Sequence, residues 1–218
     1  MSRAFAVIDA EGKEPLTGGY ELRLTGWTEE RYWRDAPSDR FWEFVDGEVV
    51  VASPVDIRHQ RMVKFLTILA SEFCEVREMG EVVNGPAALR LRPELAREPD
   101  IFVLSPEESA RAHGSRLEVC PCLIIEVTDT DSERRDLVEK SLEYAARGVP
   151  EYWSVHVGKR RVTVFRGRKG VPAQTVMRRG RLDSTGLPGF WIDVSWLWQD
   201  PFPKTLACLK QILGVTSL

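Results

Sequence analysis

The chain is poor in cysteine. Cys74, Cys120, Cys122 and Cys208 are four thiols among 218 residues, too few and too scattered for a disulfide framework. Cys120-Pro-Cys122 has no second pair at zinc-site spacing, so buried free thiols are expected rather than a metal or redox site. Long apolar runs are missing as well. None approaches the ~18 residues of a membrane span, and the opening "MSRAFAVIDAEGKEP" has no signal-type apolar segment. A cytoplasmic location is the expectation. Internal repeats, low-complexity stretches and abrupt composition shifts are also lacking. One domain is therefore expected over 26–218, with a core at about 55–166 and a β-rich extension at about 167–218, after an arm at 1–25 whose first 19 residues end in "PLTGG". Nor is there a large charge of either sign. A net charge of −3 argues against a general polyanion binder.

What is present suits a globular domain. The composition, 43% hydrophobic and 29% charged, allows a sizeable core without disulfides. Charge is unevenly spread: residues 134–181 hold 13 Lys/Arg against 4 Asp/Glu. That excess would suit a face meeting phosphates, and it equally suits a solvated hairpin surface.

Local patterns predict the elements. Thr28 before Glu29 and Glu30 is an N-cap signal for a short helix. Asp46-Gly47 between "FWEFV" and "EVVVA" signals a hairpin. Met62, Phe65, Leu66, Leu69 and Phe73 recur at helical spacing, and Gly80 closes that helix. Strands are expected at 81–83, 87–91, 100–104 and 122–128. A helix from Ser132 to Arg147 is stopped by Gly148, and strands "PEYWSVHV" and "RRVTVFR" flank a turn at Gly158-Lys159. A Trp-rich tail of short strands and a last helix near Pro203 follow. Helices interspersed with strands point to an α/β fold around a mixed sheet flanked by helices.

Two acidic residues stand where a buried strand prefers aliphatics. Asp100 opens "PDIFVL" and Glu126 lies near the end of "LIIEV". A buried carboxylate is costly unless paired or metal-bound. On neighbouring strands the two would converge as hard oxygen ligands of the kind Mg²⁺ uses. Read singly, each also fits a turn or salt-bridge carboxylate. In the following helix, Val138, Leu142 and Ala145 form one face at a period of about 3.6 residues. Glu133, Asp136, Lys140 and Tyr144 form another. Lys140 can pair with Asp136 at i,i+4, or reach back over the sheet's end to orient a water or stabilise developing charge.

The run "PDIFVL … LIIEVTDTDSERRDLVEKSLEYAARGVPEYWSV", with "FWEFVDGEVV" and "RHQRMVKFL" upstream, resembles the Uma-two family of restriction-endonuclease-like proteins in the PD-(D/E)XK nuclease superfamily. The resemblance spans roughly 26–166. It implies a PD-(D/E)XK core and a divalent ion, Mg²⁺ or Mn²⁺, held by Asp100 and Glu126. The superfamily's usual lysine, two residues after the glutamate, is Thr128 here, and the family resemblance shifts that role to Lys140 in the next helix. Glu43 matches an early glutamate of the family, as a further ligand or an exposed hairpin carboxylate. His59 matches a family histidine, near the site or on the helix surface. Asp136 would orient Lys140. The chain departs from the family where "TDTDSERR" follows the glutamate, adding Asp129 and Asp131.

The resulting expectation is a metal-dependent endonuclease acting on DNA, with Arg134, Arg135, Lys159, Arg160 and Arg161 as candidate phosphate contacts. Such contacts would carry no sequence information by themselves. A catalytically inactive nuclease fold that binds nucleic acid or protein is the alternative. Cutting both strands of a duplex would favour a homodimer. The tail "GFWIDVSWLWQ" could serve an oligomer but reads better as core.

Overall fold

The computed structural model describes residues 21–37, 41–52, 56–128, 135–167 and 170–216. The chain begins with β1 (Glu21–Thr25), α1 (Glu29–Asp35), β2 (Trp42–Val45), β3 (Glu48–Ala52) and α2 (Ile57–Arg77). Strands β4 (Glu81–Asn84), β5 (Ala88–Arg92), β6 (Leu95–Arg97) and β7 (Ile101–Leu104) follow, then α3 (Pro106–Ser109), β8 (Arg116–Leu117) and β9 (Leu123–Thr128). A π-helical turn (Arg135–Lys140) runs into α4 (Ser141–Arg147), which leads to β10 (Glu151–His156), β11 (Arg161–Arg166) and β12 (Ala173–Met177). The tail adds β13 (Arg181–Asp183), β14 (Trp191–Asp193), a 3₁₀ turn (Val194–Trp198) and α5 (Thr205–Leu213). Residues 21–25, read from sequence as the end of an arm, pair with β3 as an edge strand.

The local signals act as chemistry requires. The Thr28 hydroxyl accepts from the Arg31 amide, and the Asp56 side chain caps α2 through the His59 amide. Asp46 and Gly47 both have positive φ, as a two-residue hairpin turn demands. Helix α2 ends on Glu78 in the left-handed region, two residues before the expected Gly80. Gly80 serves another purpose: a Cβ there would lie 1.9 Å from the Leu104 carbonyl oxygen.

Two six-stranded mixed sheets form the body. The first has the order β1-β3-β2-β6-β5-β8, the second β12-β11-β10-β9-β7-β4. In the second, β9 runs antiparallel to β7 and parallel to β10. Strand alternation sorts its side chains to two faces. One face places Ile101, Val103, Ile125, Trp153 and Val164 against α2, α5 and the tail's Phe190, Ile192 and Leu197. The Trp-rich tail is thus core. The other face places Phe102, Ile124, Tyr152 and Phe165 against Tyr144 of α4 and Leu89, Leu91 and Leu95 of the first sheet. Cys74 and Cys208 are buried free thiols as expected, whereas Cys120 and Cys122 are half-buried. Burial pushes the Cys74 thiol up to about 11. Among the described residues no helix is long and apolar enough to cross a membrane.

Candidate active site

The register of the second sheet explains why two carboxylates meet. Ile101 pairs with Ile125 in antiparallel β7 and β9, so the next step places Asp100 beside Glu126. By alternation Glu126 lies on the face of Phe102 and Ile124, under α4, and Asp100 precedes β7 at the same end of the sheet. The Asp100 carboxylate is held twice: Oδ2 accepts from the Val127 amide at 2.8 Å and Oδ1 meets His59 Nε2 at 3.2 Å. His59 lies in the first turn of α2, only 12% exposed, and turns inward rather than standing on the helix surface. Burial opposes protonation of His59, but the hydrogen bond and charge of Asp100 outweigh it and raise its pKa.

Glu126 is 5% exposed and Lys140 is 3% exposed. Lys140 Nζ lies 2.7 Å from Glu126 Oε1 and 2.9 Å from Glu43 Oε1. The Tyr144 hydroxyl donates to the same Glu126 oxygen at 2.8 Å. Burial, then the charges of Glu126 and Glu43, push the Tyr144 phenol well above its ordinary pKa. The π-helical turn ending at Lys140 departs from simple α-helical spacing, as π segments do at many functional sites. The face of Lys140 and Tyr144 points into the protein, while Val138 and Leu142 are exposed. The apolar pair marks the outer face of this helix.

Glu43 is not an exposed hairpin carboxylate. It is buried, because β2 pairs with β6 in the register Phe44↔Ala96, which sets Glu43 across from Arg97. Arg97 is 1% exposed. It donates to Glu43 Oε2 at 2.9 Å and to both oxygens of Glu143 at 2.8 Å. Burial opposes the Arg97 charge, but Glu43 and Glu143 outweigh it and raise its pKa. A continuous chain of contacts therefore runs Glu143–Arg97–Glu43–Lys140–Glu126–Tyr144. It ties the first sheet to α4 and to the central strand of the second. Breaking one member of such a buried network leaves another charge uncompensated.

Five sequence candidates, Asp100, Glu126, Lys140, Glu43 and His59, are brought together. Asp129, Asp131, Ser132 and Arg134 lie outside the described residues, as do the side chains of Arg135 and Asp136. Lys140 engages Glu43 and Glu126, which supersedes the simple reading of it as only an i,i+4 partner of Asp136. Lys159, Arg160 and Arg161 sit at the β10–β11 turn, where the Lys159 amide donates to His156 Nδ1 at 3.2 Å. Thr128 is buried, and its hydroxyl has no hydrogen-bond partner among the described residues.

Arg97, Glu98, Glu143 and the hydroxyl of Tyr144 were not candidates. A charged residue in a strand reads as solvent-facing, and only pairing between β2 and β6 turns Arg97 inward. The adjacency of Arg97 and Glu98 to the Pro99-Asp100 pair was the available signal. The Glu98 carboxyl accepts from the Trp42 amide at 2.9 Å. Burial, aided by the Glu43 charge and opposed by that hydrogen bond and by Lys140, pushes it up to about 8.

The donor chemistry fits a hard divalent cation. Asp100 and Glu126 offer carboxylate oxygens from neighbouring strands. Among the described residues no group of three or more His, Cys, Asp or Glu side chains forms a metal-holding cluster. Two protein carboxylates, with water and phosphate completing the shell, is a common arrangement for Mg²⁺.

Comparison with known proteins agrees with this fold. A crystal structure described as "a putative nuclease belonging to DUF820" from Anabaena variabilis matches with a TM-score of 0.69 at 12% identity, covering 79% of this chain and 97% of that one. No curated protein matches. The family model Uma2, described as "Putative restriction endonuclease", matches residues 28–195. The match therefore runs beyond the 26–166 stretch that carries the motif resemblance and reaches into the tail. The chain belongs to the Uma2 family.

Proposed function

We propose that the protein is a divalent-metal-dependent endonuclease hydrolysing DNA phosphodiester bonds, with Asp100 and Glu126 holding Mg²⁺ or Mn²⁺. The observation that carries this reading is the convergence of Asp100, Glu126 and Lys140 at one end of the second sheet, with Lys140 Nζ 2.7 Å from Glu126. A bound ion supplies polarisation of a phosphoryl oxygen and a lowered pKa for a coordinated water. The protein's own groups do the positioning. The Val127 amide and His59 fix the Asp100 carboxylate. Arg97 fixes Glu43, and Glu43 and Glu126 together fix the Lys140 ammonium. That ammonium stands ready to orient a water or stabilise negative charge growing on the phosphoryl group during in-line attack. Lys159, Arg160 and Arg161 offer phosphate contacts that position a strand without reading its sequence. A two-fold dimer would bring two such centres to a duplex.

A second reading is a catalytically inactive nuclease fold that binds nucleic acid or protein. It is favoured by Thr128 at the usual lysine position and by the engagement of Lys140 with two carboxylates, which resembles a structural ion cluster. Cleavage of plasmid and of single-stranded DNA in Mg²⁺ or Mn²⁺, wild type beside Glu126→Ala and Lys140→Ala, separates the two. Metal-dependent cleavage lost in both variants supports the enzyme. Cleavage unaffected by Glu126→Ala rejects this site, and no cleavage with no metal binding by the wild type supports the inactive module.

A further inference from the structure

A cavity of about 280 Å³ opens beside the acidic centre, between α1, β5 and the segment before β8. Its walls include Tyr32, Trp33, Pro86, Ala88 and Leu117, and its one acidic group is Glu98. Glu98 joins the cavity to the candidate active site. Its amide donates to Glu43 Oε1 at 3.4 Å, and Asp100 follows two residues later. One carboxyl oxygen of Glu98 takes the Trp42 amide. The second oxygen has no hydrogen-bond partner among the described residues.

Three features restrict the occupant. Drug-sized ligands need pockets of about 300–1,000 Å³, so this one suits a single planar heterocycle. Aromatic and proline walls favour a flat π-face, and base–aromatic stacking is worth about 1–3 kcal/mol per base. Glu98, the one acidic group at the wall, is placed to meet a polar edge. Beyond Trp33 a second, more open concavity carries Arg34, Arg90 and Arg116 with Glu29 and Glu30. Trp33 thus stands between an apolar cavity and an arginine-bearing surface.

We propose that this cavity is a subsite for one unstacked nucleobase of the strand being cut, packed against Trp33 and hydrogen-bonded at its edge by Glu98. The proposal rests on the nuclease reading and sharpens it. The bound strand would be single-stranded there or have one base turned out of the duplex, since a base still stacked and paired cannot reach into a pocket of this size. The site lies within two residues of Asp100, so the captured base belongs to a nucleotide close to the scissile phosphate.

The test is binding of the four deoxynucleoside monophosphates in EDTA, followed by tryptophan fluorescence and calorimetry. It uses the full chain as wild type, Ser115→Trp at the exposed cavity rim, and Glu98→Gln beside Glu98→Leu. Saturable millimolar or tighter binding is expected. It should weaken at least tenfold in Ser115→Trp and in Glu98→Leu, with Glu98→Gln closer to wild type. Deoxyribose 5-phosphate, lacking the base, should bind at least tenfold more weakly. No binding by the wild type, equal binding of the base-free sugar phosphate, or binding unchanged by Ser115→Trp would overturn the subsite. Ser115 lies at the surface, so this substitution keeps the test open if Glu98→Leu fails to fold. Metal-free binding is read separately from cleavage: nucleotide binding without cleavage would sink the enzyme reading and leave the subsite, and cleavage without binding would do the reverse.

Discussion

Strands β9 and β10 lie side by side, run parallel, and each carries a buried glutamate. Glu151, at the start of β10, is fully buried. One of its oxygens accepts from Arg166 Nε at 2.9 Å. The other accepts from the Ser184 hydroxyl at 2.5 Å and from the Thr185 and Gly186 amides at 2.9 Å each. Glu126, near the other end of β9, meets a lysine and a phenol, and that lysine is shared with Glu43. The same residue type, buried in both strands, therefore sits in two kinds of surroundings. Glu151 has one cation and several neutral donors around it, and it pins the tail to the sheet. Glu126 stands in a row of acids, with Asp100 alongside and Glu43 across the lysine. Burial of a carboxylate does not mark chemistry by itself. What sets Glu126 apart from Glu151 is a second carboxylate, Glu43, sharing one buried lysine with it.

The comparison can be broken from either side. The largest effect expected is on activity. Glu126→Ala should lower metal-dependent cleavage on the order of 10³-fold, the upper scale for removing one preorganised charge-stabilising group, while the protein stays folded by circular dichroism. Glu151→Ala should do the opposite. It strips four donors of their acceptor and should cost about 3–5 kcal/mol of stability, read from urea unfolding, with activity of the folded fraction changed only a few-fold. Equal activity losses in the two variants would erase the distinction. Lys140→Met should fall between them: cleavage down about 10²-fold, and stability reduced because Glu43 and Glu126 are left facing each other.

Smaller changes sharpen the picture. Tyr144→Phe removes one hydrogen bond to Glu126 and should cost about 1.5–3 kcal/mol, the range for a bond to a charged group, measured by thermal unfolding. Thr128→Val should be the mildest, within about 1 kcal/mol, because its hydroxyl has no hydrogen-bond partner among the described residues. The metal-free protein should also report Glu98. Its folded pKa of about 8 lies above the ordinary glutamate value, so between the two the folded state binds more protons. Stability should therefore fall as pH rises through that window, and Glu98→Gln should flatten the dependence. A flat profile in the wild type would contradict the burial of that carboxyl.

Much of the site was legible because strand alternation and motif spacing are local. Asp100 before an apolar run, Glu126 within one, and Lys140 one helix later are all visible in sequence. Arg97 was not, since its inward turn depends on β2 pairing with β6 across 50-odd residues. Whether Glu43 is buried or exposed stays open in the sequence for the same reason, because its partner is Arg97. The helix before β10 was seen, but its outer face carries Val138 and Leu142, so apolar periodicity pointed the wrong way there. The tail was read as short strands, and its packing onto Glu151 rests on a close approach. A Cβ on Gly186 would fall 1.9 Å from the Cys122 carbonyl oxygen, a contact that no local pattern announces.

The most direct measurement of the central claim is Mn²⁺ binding, by calorimetry and electron paramagnetic resonance, to wild type, Asp100→Asn, Glu126→Gln and Glu151→Gln. The account predicts one Mn²⁺ site in the wild type, lost or at least tenfold weaker in Asp100→Asn and Glu126→Gln, and intact in any folded Glu151→Gln. Binding that survives both of the first two substitutions, or that depends equally on Glu151, would contradict it.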